Sequence, residues 1–440
     1  MLDAFVHRLN PLQLVVLGYA SYVIVGWLLL CLPFVQETRG VGWLDHLFMA
    51  TSAVSTTGLT TVSTADTYNL FGELILLALI QLGGLGYMTL GSFVVLAVSG
   101  QLSPLRQRIS ASAFCLPEGF DVRSFLRVIC LFTLLLELLG AIMLYPVFRA
   151  HEAPMPGWQA VFHSVSAFCT AGFGLFNDSF ESFHGDYRLN LVIMALSYLG
   201  AIGFIVAADV WNSLRRLKPS VTMTSRVILL STFWITLLGT ALFALDEQSA
   251  RAPPAGERWL AAWFQVMTAS TTVGFNTISI GALSASSLFL LLIVMMIGAS
   301  PSGTGGGIKT TTITALWAEM MAALRNRKVT TFLGREIPRH RLRAAAANLL
   351  FYCLTLAAGI YALALVEKSP FPDLMFECAS ALGTVGLSRG VTSGLTPVGK
   401  GIIIALMFLG RVGPIALAMA LLRREHYATE PEARAEDIAI

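Results

Sequence analysis

The sequence predicts an all-α integral membrane protein, built as four tandem span–re-entrant helix–span repeats in pseudo-fourfold array around one axis. Three observations predict it. Of 440 residues, 55% are hydrophobic and 12% charged, about half the charge that a water-facing surface carries. Apolar runs recur at the length needed to cross a bilayer, about 20 residues. One short motif returns four times between those runs. The composition excludes a soluble enzyme, a disordered chain and a nucleic-acid binder, and a net charge of +3 implies no anionic partner. The six cysteines (Cys31, Cys115, Cys130, Cys169, Cys353, Cys378) form no CxxC pair and read as small hydrophobes rather than a disulfide framework or zinc site.

The first repeat, 1–100, opens with a charge-free run that gives a span over about 12–35. It is too long for a signal peptide and lacks a cleavage pattern, so it is a retained helix. A short re-entrant helix follows at about 44–55 and a second span at about 70–99. The second repeat, 101–218, has spans at about 124–148 (carrying Glu137) and 188–213, with a short helix at about 158–169. The third, 219–330, has a span at about 225–246, a short helix at about 259–270, and a second span at about 284–325 broken over 298–312. The fourth, 331–440, has spans at about 342–366 and 399–423 (carrying Arg411), a short helix at about 372–382, and a C-terminal tail. Basic residues cluster after the even spans (Arg106 and Arg108; Arg215, Arg216 and Lys218; Arg325 to Arg343; Arg423 and Arg424), whereas the alternate loops carry the acids. That asymmetry puts the even loops and both termini in the cytoplasm.

The repeated segments read FMATSAVSTTGL (48–59), FHSVSAFCTAGF (162–173), FQVMTASTTVGF (264–275) and FECASALGTVGL (376–387). Counted back from Gly58, Gly172, Gly274 and Gly386, each has Phe ten places before. Each also has Ser or Thr at six, Ala at five and Thr at two, with Leu or Phe one place after. Phe and Ser/Thr four apart share one helix face, and the small Ala allows close approach. Each segment is too short to span. Irregular backbone at membrane depth must be buried in protein or line a watery cavity, so the chain enters as a short helix, stops near Thr, and returns extended.

Four such turns around one axis place Thr56, Thr57 and Gly58; Thr170, Ala171 and Gly172; Thr272, Val273 and Gly274; and Thr384, Val385 and Gly386 face to face. Glycine allows positive φ and close approach of backbone, so carbonyls can point inward and replace part of a cation's hydration shell, as in filters built from four TVGYG loops. The short helices would aim their partially negative C-terminal ends inward, again favouring a cation.

These motifs resemble the Trk/Ktr/HKT superfamily of potassium transporters over about residues 11–424, and eight spans rather than ten make the chain most similar to the Ktr-type membrane subunit. The resemblance implies potassium uptake through one pore per protomer, with selectivity at Gly58, Gly172, Gly274 and Gly386. In the plant branch a Ser in the first-repeat position goes with sodium preference, so Gly58 implies potassium. Only Thr and Gly recur, fewer than in TVGYG, which implies weaker discrimination against sodium. The resemblance also implies a homodimer in the lipid bilayer of the cytoplasmic (inner) membrane, and a cytoplasmic ring of nucleotide-binding regulator subunits. The transported ion is K+, with Na+ as an alternative activator or coupling ion, and the chain itself holds no cofactor. It contains no GxGxxG, so nucleotide control would come from a partner. The basic stretch 325–343 fits such a contact, but it is equally what orientation demands.

The break GASPSGTGGGIKTTT (298–312) has two readings. As a phosphate loop, GTGGGIKT has Ile308 where GxxxxGK[ST] needs Gly, and no strand precedes it. As a gate, the reading that the resemblance supports, Gly298, Ser302, Gly303, Thr304, Gly305, Gly306, Gly307 and Lys309 close the path under the filter. Arg411 is costly in a span and needs a partner: either the loop carbonyls, where the resemblance puts it, or a packing salt bridge. Glu137 and Asp209 read as structural, with no firm partner evident for Glu137. The seven histidines show no HExxH spacing; His46 and His163 read as helix-packing or vestibule residues. No nucleophile–base pair emerges, so the chain reads as no enzyme.

Overall fold

The computed structural model describes residues 11–38, 40–86, 122–214, 221–246 and 255–413. Among the described residues, four helices are long and apolar enough to cross a membrane: α1 (Pro11–Leu30), α4 (Val122–Ala150), α8 (Met223–Asp246) and α12 (Arg339–Val366). Their outer faces leave Leu134, Leu138 and Ile142 on α4, Phe233 and Leu237 on α8, and Leu350 and Leu354 on α12 exposed. Such large apolar faces on a soluble monomer would be aggregation sites; a lipid surround satisfies them.

Each long helix lies on a short one: α2 (Trp43–Ser55), α5 (Pro156–Phe168), α9 (Ala255–Thr271) and α13 (Phe371–Gly383). These run 13 to 17 residues, too short to span. They form the centre of the core: the motif phenylalanines Phe48, Phe162, Phe264 and Phe376 are at most 1% exposed. The residue types in the motif are therefore those of a buried helix whose polar groups serve one end.

A second helix follows each short one: α3 (Leu70–Leu85), α6 (Tyr187–Ile202), α10 (Ala285–Met296) and α14 (Pro397–Val412). Each starts after a residue (Asn69, Asp186, Ser284, Thr396) whose side chain accepts a first-turn N–H. Helix α3 packs against α5, α6 against α9, α10 against α13, and α14 returns to α2, so each second helix touches the next short helix and the last reaches the first.

The second helices differ from the unbroken spans expected at 70–99, 188–213 and 399–423. Helix α3 ends at Gly86 (φ 78°), α6 at Gly203 (φ 94°) and α14 at Gly413 (φ 90°). After Gly203 the chain resumes as α7 (Phe204–Leu214), bent by 92° from α6. The rest of the other two expected spans, 87–99 and 414–423, lies outside the described residues. In the third repeat the irregular stretch runs from Ile297 to Lys309, and α11 (Thr310–Leu324) begins inside the expected 298–312 break. Thr310 to Thr312 are helical; Thr314 Oγ1 donates back to the Thr310 carbonyl at 2.9 Å. A tight hairpin of β1 (Thr331–Phe332) and β2 (Arg335–Glu336) joins α11 to α12.

Candidate functional site

The short helices all end the same way. Thr56, Thr170, Thr272 and Thr384 take positive φ (53°, 50°, 59° and 50°), a conformation that costs a β-branched residue about 1–2 kcal/mol. What holds them is a hydrogen bond across the helix end, doubled in three repeats by the threonine's own N–H (Thr56 to Ala53 O, Thr170 to Ala167 O, Thr384 to Ala381 O). The next residue's N–H reaches back five places: Thr57 to Ser52 O (2.9 Å), Ala171 to Ser166 O (2.8 Å), Val273 to Thr268 O (3.1 Å) and Val385 to Ser380 O (2.8 Å). In three repeats the motif Ser/Thr then caps the glycine itself: Ser52 Oγ accepts from Gly58 N (3.1 Å), Thr268 Oγ1 from Gly274 N (3.0 Å) and Ser380 Oγ from Gly386 N (3.0 Å). Sequence reasoning gave this hydroxyl only a helix face; its capping role explains why it recurs.

The four glycines also have positive φ, 91°, 67°, 89° and 94° in chain order. A Cβ on Gly58 would lie 2.5 Å from Ala171 O, and one on Gly172, Gly274 or Gly386 would come closer than 3.0 Å to Val273 O, Val385 O or Thr57 O respectively. Each glycine is thus pressed on the carbonyl that precedes the next glycine, and the fourth returns to the first. No residue but glycine satisfies both the dihedral and the approach.

On one side of the glycines lies a cavity of about 560 Å³, lined by all four and by Asn177, Asp178, Glu181, Asn276 and Arg389. The Arg389 guanidinium is engaged by Asp373 (2.8 Å) and the Gly281 carbonyl (3.1 Å). Burial pushes the Glu181 carboxyl above the ordinary carboxylate range, opposed by the Asn276 amide that donates to it at 2.8 Å.

On the other side lies the 297–309 loop, against the four threonines. Thr56 Oγ1 donates to the Thr304 carbonyl (3.3 Å) and Thr170 Oγ1 meets Thr304 Oγ1 (3.0 Å). A Cβ on Gly305 or Gly306 would collide with the Thr272 or Thr384 hydroxyl. Arg411 donates to the carbonyls of Thr304 and Gly83, to Gly84 O at 3.4 Å and to Thr56 Oγ1 at 3.1 Å. Among these four partners none is a carboxylate, which favours the loop-carbonyl alternative for Arg411. Lys309 Nζ turns back on its own loop, to Gly305 O (2.8 Å). Gly298 packs on Gly306 and Gly307 at the loop's base, where Ala299 N donates to Gly306 O (3.1 Å).

The loop also completes the broken helix beside it. Thr304 N donates to Gly200 O (3.1 Å) and Ser300 N to Ala201 O (3.2 Å), and Ser300 Oγ to Ala201 O (2.6 Å) and Ile202 O (2.5 Å). Ser302 supplies its carbonyl to Phe204 N (3.3 Å) and its hydroxyl to Ile205 N (3.2 Å). Gly303 fits against Ala201 O. The right-angle bend is possible because the loop satisfies the groups that the break frees.

A signal for these breaks exists in the sequence: Leu-Gly-x-x-Gly at 82–86, 199–203 and 409–413. The first glycine of each (Gly83, Gly200, Gly410) is pressed on a carbonyl near the end of a short helix, Val54 O, Phe168 O or Leu382 O. Glu137, without an evident partner in sequence, accepts from Gln81 Nε2 at 3.1 Å, and Asp209 accepts from Thr222 N at 2.6 Å. His46 bonds Tyr68 Oη (2.9 Å).

A family model described as the TrkH cation transport protein matches residues 28–427. The Ktr system potassium uptake protein B of Bacillus subtilis is 33% identical, covering 95% of this chain and 94% of that protein. Its namesake from Vibrio alginolyticus is 34% identical over 94% and 91%. The potassium/sodium uptake protein NtpJ of Enterococcus hirae is 34% identical over 96% and 95%. Among solved structures, the potassium transporter TrkH of Vibrio parahaemolyticus superimposes with a TM-score of 0.76 at 21% identity, over 94% of this chain and 85% of that one.

Proposed function

The chain belongs to the TrkH family of cation transport proteins, and from that premise we propose that it is the ion-conducting membrane subunit of a Ktr/Trk-type potassium uptake system. Its relatives are ion transporters, not enzymes. The observation that carries the reading is the closed series of approaches between the four glycines and the carbonyls before the next. In this reading the repeats 1–100, 101–218, 219–330 and 331–440 stand in pseudo-fourfold array around one pore. The residues Thr56–Gly58, Thr170–Gly172, Thr272–Gly274 and Thr384–Gly386 supply a ring of carbonyl oxygens that replaces a cation's water.

A cation enters through the cavity bearing Asp178 and Glu181, sheds water at the ring, and meets the 297–309 loop, which with Arg411 serves as the gate. Uptake is driven by the membrane potential, about 2.3 kcal/mol per charge per 100 mV. No cofactor is needed in the chain. The protein sits in the cytoplasmic membrane with both termini inside, as a homodimer on a cytoplasmic ring of nucleotide-binding regulator subunits. A second reading, a sodium-permeable or sodium-coupled transporter of the same fold, is favoured by the name of the Enterococcus relative.

The test is growth of a bacterium lacking its own potassium uptake, on low potassium, expressing the chain with and without a regulator subunit. Rescue by potassium supports the proposal. Expression in the membrane without rescue under either condition overturns it, and rescue that depends on added sodium selects the second reading.

A further inference from the structure

One place on the short helices was not part of the shared motif because its residue differs in every repeat. Nine positions before the glycine stand Met49, His163, Gln265 and Glu377. In three repeats this side chain reaches forward to the chain leaving the filter. His163 Nδ1 meets the Gln159 carbonyl (2.8 Å), which only accepts, so Nδ1 carries the proton and Nε2 accepts from Leu175 N at 3.2 Å. Thr277 N (2.9 Å) and Ile278 N (3.1 Å) can only donate, which assigns the amide oxygen of Gln265 to the side facing them, where it accepts from both. Glu377 accepts from Arg389 N (3.2 Å), Thr392 Oγ1 (2.8 Å) and Ser388 Oγ. Leu175, Thr277 and Arg389 each lie three places after their glycine. Three unlike acceptors therefore do one job at one matched position. All three are at most 0% exposed.

The first repeat lacks the device. Met49 is equally buried, but its thioether is a weak acceptor. Thr61, three places after Gly58, has a buried Oγ1 with no partner.

We propose that His163, Gln265 and Glu377 are positioning residues that hold the outer side of the ion filter, and that the first repeat is the segment held without them. The inference rests on reading the glycine ring as the filter. A carbonyl ring discriminates between ions only insofar as its oxygens keep their spacing. The bond from the short helix to the departing strand fixes Gly172, Gly274 and Gly386 from the far side, and at Gly274 and Gly386 it complements the cap at the glycine's own N–H. The unclamped quarter is then the one that yields to a smaller or larger ion.

The experiment uses the full chain, purified, in two measurements. Amide hydrogen exchange reports the clamp without reference to transport. The segment 59–64 exchanges fastest of the four departing strands. Gln265→Met, which copies the first repeat, removes the acceptor of Thr277 N and Ile278 N and speeds exchange over 275–280 by about tenfold or more, since each buried hydrogen bond is worth about 1 kcal/mol. Gln265→Glu, which copies the fourth repeat and keeps the acceptors, leaves it near the parent rate. In liposomes Gln265→Met lowers the K+/Na+ flux ratio by about threefold or more while K+ flux persists, and Gln265→Glu restores it. Unchanged exchange over 275–280 in Gln265→Met overturns the clamp. Faster exchange with an unchanged flux ratio overturns its part in selectivity. If Gln265→Met does not fold, Met49→Gln decides: slower exchange over 59–64 supports the inference and unaltered exchange refutes it. A parent that carries no K+ while the exchange pattern holds sinks the filter reading and leaves the clamp standing.

Discussion

Gly58→Ser is the sharpest perturbation of the ring. Its Cβ would stand 2.5 Å from Ala171 O and 3.2 Å from Gly172 Cα, at a φ of 91°. The dihedral alone costs about 1–3 kcal/mol for a residue with a side chain. Relief of the overlap requires Ala171 O to retreat; that carbonyl belongs to the Ala171–Gly172 peptide, whose N–H lies outside the three glycine caps made by Ser52, Thr268 and Ser380. Ala171 N itself is anchored to Ser166 O at 2.8 Å, so the carbonyl yields by rotation of its own peptide. In the proposed filter, that rotation turns one of the ring's carbonyls away from the ion. A change of about 1.4 kcal/mol in favour of one ion over another is tenfold in their ratio, so losing one oriented carbonyl is enough to lower K+/Na+ discrimination by about tenfold. The assay is paired K+ and Na+ flux into liposomes holding the full chain, with Gly394→Ser as control, since nothing lies within 4 Å of a Cβ there. A Gly58→Ser protein that folds, conducts, and keeps its flux ratio within about twofold of the parent would refute the reasoning.

Other outcomes follow from the same geometry. Arg411→Gln removes charge-assisted bonds to the carbonyls of Thr304 and Gly83, each worth about 1.5–3 kcal/mol, and should raise K+ flux in liposomes lacking a regulator; deletion within 303–307 should do the same. Ser380→Ala strips the cap from Gly386 N and should lower thermal stability by about 1–2 kcal/mol, whereas Ser166→Ala, whose hydroxyl is buried without a partner, should cost almost nothing; thermal unfolding in detergent compares them. Because burial raises the Glu181 carboxyl, its negative charge is lost at a milder acidity than an ordinary carboxylate would need. Uptake from dilute K+ should therefore weaken as external pH falls, and Glu181→Gln should flatten that pH profile.

What could be read in the sequence was whatever is local and repeated. The short helices and their ends were legible because every determinant of the turn, from Phe ten places before to Leu or Phe one place after, lies within one segment of twelve residues. The breaks at Gly86, Gly203 and Gly413 were not. A glycine in an apolar run is ordinarily tolerated in a helix at a cost of about 1 kcal/mol, and what ends α6 at Gly203 is the distant loop that takes over its free carbonyls and amides. For the same reason Glu137 had no visible partner: Gln81 lies 56 residues away, in another repeat. The clamp residues escaped because a motif search rewards identity, and His, Gln and Glu share only the ability to accept a hydrogen bond.

The loop and the glycine turns are not independent parts. Thr304 touches both Thr56 and Thr170, the threonines whose left-handed turns set two of the four glycine positions. The same residue, with Ser300 and Ser302, completes the broken ends of α6 and α7. Withdrawing the loop would strip partners from Gly200 O, Ala201 O, Ile202 O, Phe204 N and Ile205 N together, at about 1–3 kcal/mol for each buried group left unpaired. No displacement of that cost is sustainable in a dry interior. It becomes affordable only when water reaches those groups as the loop leaves, because water then makes the bonds the loop made. Any movement of the loop therefore requires wetting of the space below the threonines, and the threonine hydroxyls that the loop contacts would change partners in the course of it.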